Sequence, residues 1–154
     1  MNTLLRATGV GKLVSFYRYI YINQPRLTRL AGIGLVLAAG VVHLVEVPSH
    51  YGISPYLGVL LAANFAVTLV AALGIWRGTK GWGWTLGAVI SALSLLAYLV
   101  SRLFGLPSAP QLAGEWTSAL GSLAMIFETM FLAGWFSVLT GLAVAAPDER
   151  DWYD

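Results

Sequence analysis

The sequence contains no cysteine, and this absence excludes several kinds of site at once. Disulfide bridges, thiolate metal centres, c-type haem attachment and cysteine nucleophiles all require a thiol. Charged side chains are also scarce, because Asp, Glu, Lys and Arg make up only 10% of the 154 residues. Nine basic and seven acidic residues are too few to cover a core of this size in water. The composition therefore excludes an ordinary water-soluble domain.

Histidines are few, and the familiar catalytic motifs are absent. The two histidines, His43 and His50, are close together in the sequence, so they cannot hold opposite faces of one haem across a bundle. The sequence has no glycine-rich phosphate loop, no nucleophile elbow and no HExxH zinc motif. We therefore expect a non-catalytic protein. No nucleic-acid partner is expected either, because topology and lipid headgroups account for the basic residues.

What the sequence does contain is four long apolar stretches. Hydrophobic residues make up 58% of the chain, and its mean hydropathy is +0.74. The stretches cover residues 30–47, 55–76, 82–103 and 116–146. Each has about the twenty residues that a helix rising ~1.5 Å per residue needs to cross about 30 Å of hydrocarbon. The pattern predicts an all-α integral membrane four-helix bundle over residues 28–146, in contact with the lipid bilayer.

The distribution of basic residues predicts how this bundle is oriented, because Lys and Arg near helix ends are retained on the cytoplasmic side. Seven of them belong to the N-terminal segment and the second connection: Arg6, Lys12, Arg18, Arg26, Arg29, Arg77 and Lys80. The first connection has none, and the third has only Arg102 at its start. We therefore predict that both termini are cytoplasmic (N-in/C-in) and that residues 48–54 and 107–115 face outward.

The two terminal segments have patterns of their own. Residues 1–27 are basic, and Val10, Leu13, Val14 and Tyr17 recur there at helical spacing. This pattern favours an amphipathic helix lying in the cytoplasmic membrane interface, with a partly disordered basic tail as the alternative. Residues 147–154 form an acidic cytoplasmic tail.

Polar residues within the apolar stretches require an explanation, because each one placed at depth in a membrane costs free energy. They are His43, Glu46, Asn64, Tyr98, Arg102 and Glu128. Counting residues from the predicted span ends places Glu128 near the midplane and the others in the outer half, with Arg102 near enough to the rim to snorkel. We predict a buried polar network that includes Asn64, Tyr98, Arg102 and Glu115, and in which His43 and Glu46 satisfy each other or Arg102.

A ligand site is the second interpretation of these residues. His43, Glu46 and His50 stand at i, i+3 and i+7, so they share a face if the helix continues past Pro48, and Glu128 is a candidate fourth metal ligand. Pro48 weakens this case, because it disfavours a helix at that point. His43 alone is a candidate axial ligand for haem or a chlorophyll-type pigment. A path for an ion, a proton or a quinone headgroup is a third interpretation.

A resemblance supports the topology. The residues that carry it are the Ala-Tyr-Leu-Val-Ser-Arg-Leu-Phe-Gly-Leu-Pro run at 97–107, Glu115-Trp116, Val42-His43-Leu44 and His50-Tyr51. In these segments the chain resembles uncharacterised small four-span membrane proteins of actinobacteria and related bacteria, over roughly residues 30 to 139. The resemblance implies a bacterial plasma-membrane location and assigns no catalytic residue.

Small size, short connections and the lack of an enzyme motif favour a non-catalytic accessory subunit of a larger membrane assembly, respiratory or photosynthetic. The expected partners are other membrane subunits or further copies of this chain. A metal-, haem- or pigment-binding membrane protein is the first alternative, and a small transport or proton-handling protein is the second.

Overall fold

The computed structural model describes residues 24–78 and 81–145, which fold into four long α-helices. These are α1 (Pro25–Ile53), α2 (Pro55–Arg77), α3 (Trp82–Phe104) and α4 (Ala119–Leu139), with one 3-10 turn at Pro110–Leu112. All four α-helices are long and apolar enough to cross a membrane. The prediction of an all-α, multi-pass membrane protein is confirmed at this level. The predicted interfacial helix and acidic tail lie outside the described residues.

Helix α1 differs from its predicted extent at both ends. It begins at Pro25, where a missing N–H is harmless in the first turn, and it continues through Pro48 to Ile53. Near Pro48 the hydroxyl of Ser49 donates to the backbone oxygen of Glu46 at 2.9 Å. The helix therefore extends six residues beyond the predicted end at residue 47 and includes His50.

The helices form a closed ring in which each packs against its two neighbours. Helix α1 contacts α2 and α4, and α3 contacts the same two helices from the opposite side. We call the end that holds the α1–α2 junction the upper end, and the end that holds Arg77 and Trp82 the lower end. The lower half is filled by an apolar core of Val36, Ala71, Ala72, Ile75, Trp84, Ala88 and Phe131. The rings of Trp84 and Phe131 stack there with centroids 5.6 Å apart.

Glycines allow α2 and α3 to meet closely at the lower end. A Cβ built on Gly74 would lie 2.8 Å from the Cα of Gly83, so only residues without side chains fit at this crossing. The connection between the two helices is short and begins and ends with Gly78 and Gly81, both at positive φ (67° and 73°). This close crossing fixes α2 and α3 as antiparallel neighbours.

The connection between α3 and α4 folds back over the upper end. Leu57 at the start of α2 packs against Ala109 and Leu112 of this connection, with Leu106 beside them. The backbone N–H of Gly114 donates to the carbonyl of Arg102 at 2.8 Å. The upper half of the bundle therefore has a cover of its own, separate from the core below.

Candidate functional site

Beneath this cover lies a cavity of about 420 Å³, lined by residues from all four helices and from the α3–α4 connection. Most of the lining is apolar, with leucines and alanines of α2 and α3 as its main part. The polar side chains that line it are His43, Glu46, His50, Tyr56, Asn64, Ser94, Tyr98, Ser101, Arg102 and Glu128. The size and the mixture of a mainly apolar wall with a few polar groups are typical of a small-molecule site.

The cavity opens sideways between α2 and α3. Among its lining residues, Leu60 of α2 is 60% exposed and Leu93 of α3 is 55% exposed, and Ala63 and Ala97 beside them are exposed as well. The lining residues of α1 and α4 are buried or half-buried, as Glu128 shows. Since these helices are long and apolar enough to cross a membrane, the exposed apolar residues at this opening are suited to contact with lipid.

A buried histidine–carboxylate pair forms the inner wall of the cavity. The Nε2 atom of His43 lies 2.9 Å from the Oε1 atom of Glu128, and only 7% and 2% of these residues are exposed. His43 stands ten positions before the end of α1 and Glu128 nine positions after the start of α4, so both lie roughly 14–15 Å below the upper end. The structure thus brings together two residues that the sequence predicted as metal ligands.

The other two predicted metal ligands are arranged differently. An oxygen of Glu46 lies 4.0 Å from Nδ1 of His43, beyond hydrogen-bonding distance. His50 directs its Nδ1 atom to the backbone oxygen of Glu46, 3.1 Å away. Among residues 24–78 and 81–145, no group of three His, Asp or Glu side chains is placed so that it could hold a metal ion. This geometry gives the metal hypothesis no support, and His43 already uses one ring nitrogen on Glu128.

Arg102 is buried at the upper end of the cavity. Only 5% of it is exposed, so it does not snorkel to the rim as the sequence suggested. Its Nη1 atom donates to the carbonyl of Leu112 at 3.4 Å, and its guanidinium carbon lies 4.8 Å from the ring centre of Tyr98. Trp116 packs edge-on against the same tyrosine ring, with centroids 6.3 Å apart.

The remaining residues of the predicted polar network are not joined to Arg102. Asn64 donates a hydrogen bond from its Nδ2 atom to the hydroxyl of Ser94, which ties α2 to α3. Glu115 is exposed in the α3–α4 connection and accepts a hydrogen bond from Thr117 at 2.6 Å. The expected network is thus resolved into separate groups, with Asn64, Tyr98 and Arg102 at the cavity and Glu115 outside it.

Sequence reasoning missed three polar side chains of this site, Tyr56 of α2 and Ser94 and Ser101 of α3. It also missed Gly121 of α4, which makes room for the ring of Tyr98, because a Cβ there would lie 2.6 Å from the ring. A signal was present in α3, where Ser91, Ser94, Tyr98, Ser101 and Arg102 recur at spacings of three and four residues. Such a polar stripe in a spanning helix indicates an inward face.

Fold and site together define a multi-pass helical membrane protein with a cavity that opens between α2 and α3. No protein-family model, no curated protein and no solved structure matches this chain.

Proposed function

We propose that this protein binds an amphipathic, membrane-soluble molecule in the upper cavity. The polar head of the molecule lies between His43 and Arg102, and its apolar part leaves the bundle between α2 and α3. One observation carries the proposal: two buried polar atoms without a hydrogen-bond partner among the described residues, Nδ1 of His43 and Nε of Arg102, belong to side chains that line this one cavity.

Unpaired polar atoms are costly inside a membrane protein, where each one costs about 1–3 kcal/mol when buried. Nε of Arg102 always carries a hydrogen and therefore needs an acceptor. If Glu128 is ionised and His43 is neutral, Nε2 of His43 donates to it and Nδ1 is left as an acceptor that needs a donor; if His43 is protonated, Nδ1 is a donor that needs an acceptor. A bound molecule that carries an acceptor satisfies Nε of Arg102, and one that reaches His43 with a polar group of its own satisfies Nδ1 as well.

The apolar part of the ligand has a matching apolar surface in the cavity. Leu60, Leu61, Leu93 and Ala97 line the cavity on the side that faces lipid. An alkyl or prenyl chain placed there remains in an apolar environment along its whole length, so a ligand enters from the bilayer without crossing water.

A substitution that places a tryptophan at the opening of the cavity tests the proposal. Ala97 is exposed and lines the cavity, whereas Ala92 is exposed on another side of the same helix and does not line it. With photoreactive hexadecanol as the probe, we expect labelling of the cavity-lining segments of α2 and α3. Labelling falls several-fold in Ala97→Trp and stays at the wild-type level in Ala92→Trp. Equal labelling of the two variants, or labelling spread evenly over all lipid-facing surfaces, contradicts the proposal.

Three finer hypotheses stay predictions beside this proposal. They are the N-in/C-in orientation, the bacterial plasma-membrane location, and the role of accessory subunit in a larger assembly. The last is supported by small size, short connections and the lack of enzyme motifs, and it is compatible with a ligand-binding bundle. Haem or pigment ligation through His43 also stays a prediction, and it would require His43 to exchange Glu128 for the cofactor if Nε2 is the ligating atom.

A further inference from the structure

We infer that the ligand is an anionic amphiphile whose oxyanion, a phosphate or a carboxylate, is bound by Arg102. This inference rests on the proposed function and specifies the head group. Arg102 is a buried cation without a counter-ion: among the described residues, no carboxylate oxygen lies within 4.0 Å of its guanidinium group. A buried charge without a partner is strongly unfavourable, and an anionic ligand removes this cost.

The two carboxylates of the cavity lie beside His43 and not beside Arg102. Glu128 and Glu46 flank His43 at 2.9 and 4.0 Å, so the imidazole is the group that faces them. These three residues form a cluster of their own at the inner wall. Arg102 stands apart from it, at the upper end of the cavity under Leu112.

The free edge of Arg102 has the right geometry for an oxyanion. The Leu112 carbonyl accepts one hydrogen bond from Nη1, and the guanidinium carbon lies over the ring of Tyr98. This leaves Nε and Nη2, whose N–H bonds are parallel and point the same way, without partners among residues 24–78 and 81–145. Two parallel N–H donors are the arrangement that binds carboxylate or phosphate through two hydrogen bonds. The tyrosine ring and the carbonyl hold these two donors, the guanidinium fork, in position before a ligand binds.

The position of the guanidinium also suits an amphiphile. Arg102 lies two residues before the end of α3, close to the level of the headgroups, and the lipid-facing opening lies below it between Leu93 and Leu60. An anionic head bound by Arg102 therefore directs its chain toward the bilayer through this opening. A cavity of about 420 Å³ accepts a single chain with its head group more readily than a complete two-chain phospholipid.

Two probes that differ only in the head group test the inference. Binding of hexadecyl phosphate and of hexadecanol to the full chain is measured by calorimetry in a non-ionic detergent, with inorganic phosphate as a competitor. We expect hexadecyl phosphate to bind at least about tenfold more tightly than hexadecanol. Arg102→Gln removes this preference, and Arg102→Lys, which keeps the charge but loses the fork, retains only part of it. Arg77→Gln, an exposed arginine at the lower end, is the matched control and keeps it.

Any other result contradicts a specific part of the inference or of the proposed function. If both probes bind equally well, the inference is wrong and the proposed function stands. If neither probe binds, both are wrong. If inorganic phosphate displaces hexadecyl phosphate at comparable concentration, the site takes a free anion and the lipid source is wrong. If Arg102→Gln loses the wild-type thermal transition, the preference of the unaltered chain and of Arg102→Lys decides the question.

Discussion

At the residue scale, the bond between His43 and Glu128 joins α1 to α4 across 85 positions of sequence. Replacing Glu128 with alanine leaves Nε2 of His43 buried without a partner. We expect Glu128→Ala to lower the free energy of unfolding by about 1–3 kcal/mol, and Glu128→Gln, which keeps a hydrogen-bonding group, to lower it less. Thermal unfolding in detergent, followed by helical circular dichroism, measures both effects.

A matched control and a double mutant show whether the pair itself is responsible. Glu115→Ala removes a carboxylate that is exposed, so it should change stability by less than about 0.5 kcal/mol. The coupling energy between His43→Ala and Glu128→Ala should be about 0.6 kcal/mol and at most about 1.7 kcal/mol, the average and the maximum found for side-chain hydrogen bonds inside a membrane protein. Additive effects of the two substitutions would show that the pair contributes nothing as a pair.

The sequence identified most residues of the site but could not identify their partners. Polar residues in apolar stretches are visible as such, and His43, Glu128, Asn64 and Arg102 were chosen on that ground. Depth was counted from predicted span ends, so an α1 predicted to end at residue 47 placed His43 too near the surface. In the structure α1 ends at Ile53, which brings His43 to the level of Glu128.

At the scale of the helices, the close crossing of α2 and α3 depends on Gly83. A Cβ on this residue would lie 2.8 Å from the backbone oxygen of Ala71, and a backbone atom cannot move aside as a side chain can. We expect Gly83→Ala to destabilise the bundle by about 1–3 kcal/mol, measured as a lower midpoint of thermal unfolding. Wild-type stability in this variant would mean that the two helices are not held at this crossing.

Gly34 provides the comparison, because it also lies within a helix but has open space where a Cβ would be. Here alanine meets no atom and lowers the conformational freedom of the unfolded chain. Gly34→Ala should therefore leave stability unchanged or raise it by up to about 1 kcal/mol. Equal losses in the two glycine variants would indicate a general effect of helix substitution instead of a contact.

At the scale of the whole molecule, composition was sufficient to predict four helices suited to a membrane, because length and hydropathy are properties of each helix alone. The cover over the upper end was not predictable in this way. It depends on contacts of Leu57 with Ala109 and Leu112, which are distant in sequence and have no periodic pattern. The cavity exists because this cover and the four helices enclose it together, so it belongs to no single segment.

The orientation of the molecule determines which leaflet supplies the ligand. Seven basic residues at the lower end and in the N-terminal segment predict that this end is cytoplasmic and that the cavity opens in the outer half of the membrane.

The absence of cysteine makes a direct measurement possible, because a single introduced cysteine is the only thiol. Ser108 is exposed in the upper connection, and Gln24 is exposed just before α1 at the lower end. In intact cells, a membrane-impermeant maleimide should label Ser108→Cys. Gln24→Cys should react only after the membrane is opened. The reverse pattern would place the cavity in the cytoplasmic half, where an anionic ligand of Arg102 would come from the inner leaflet.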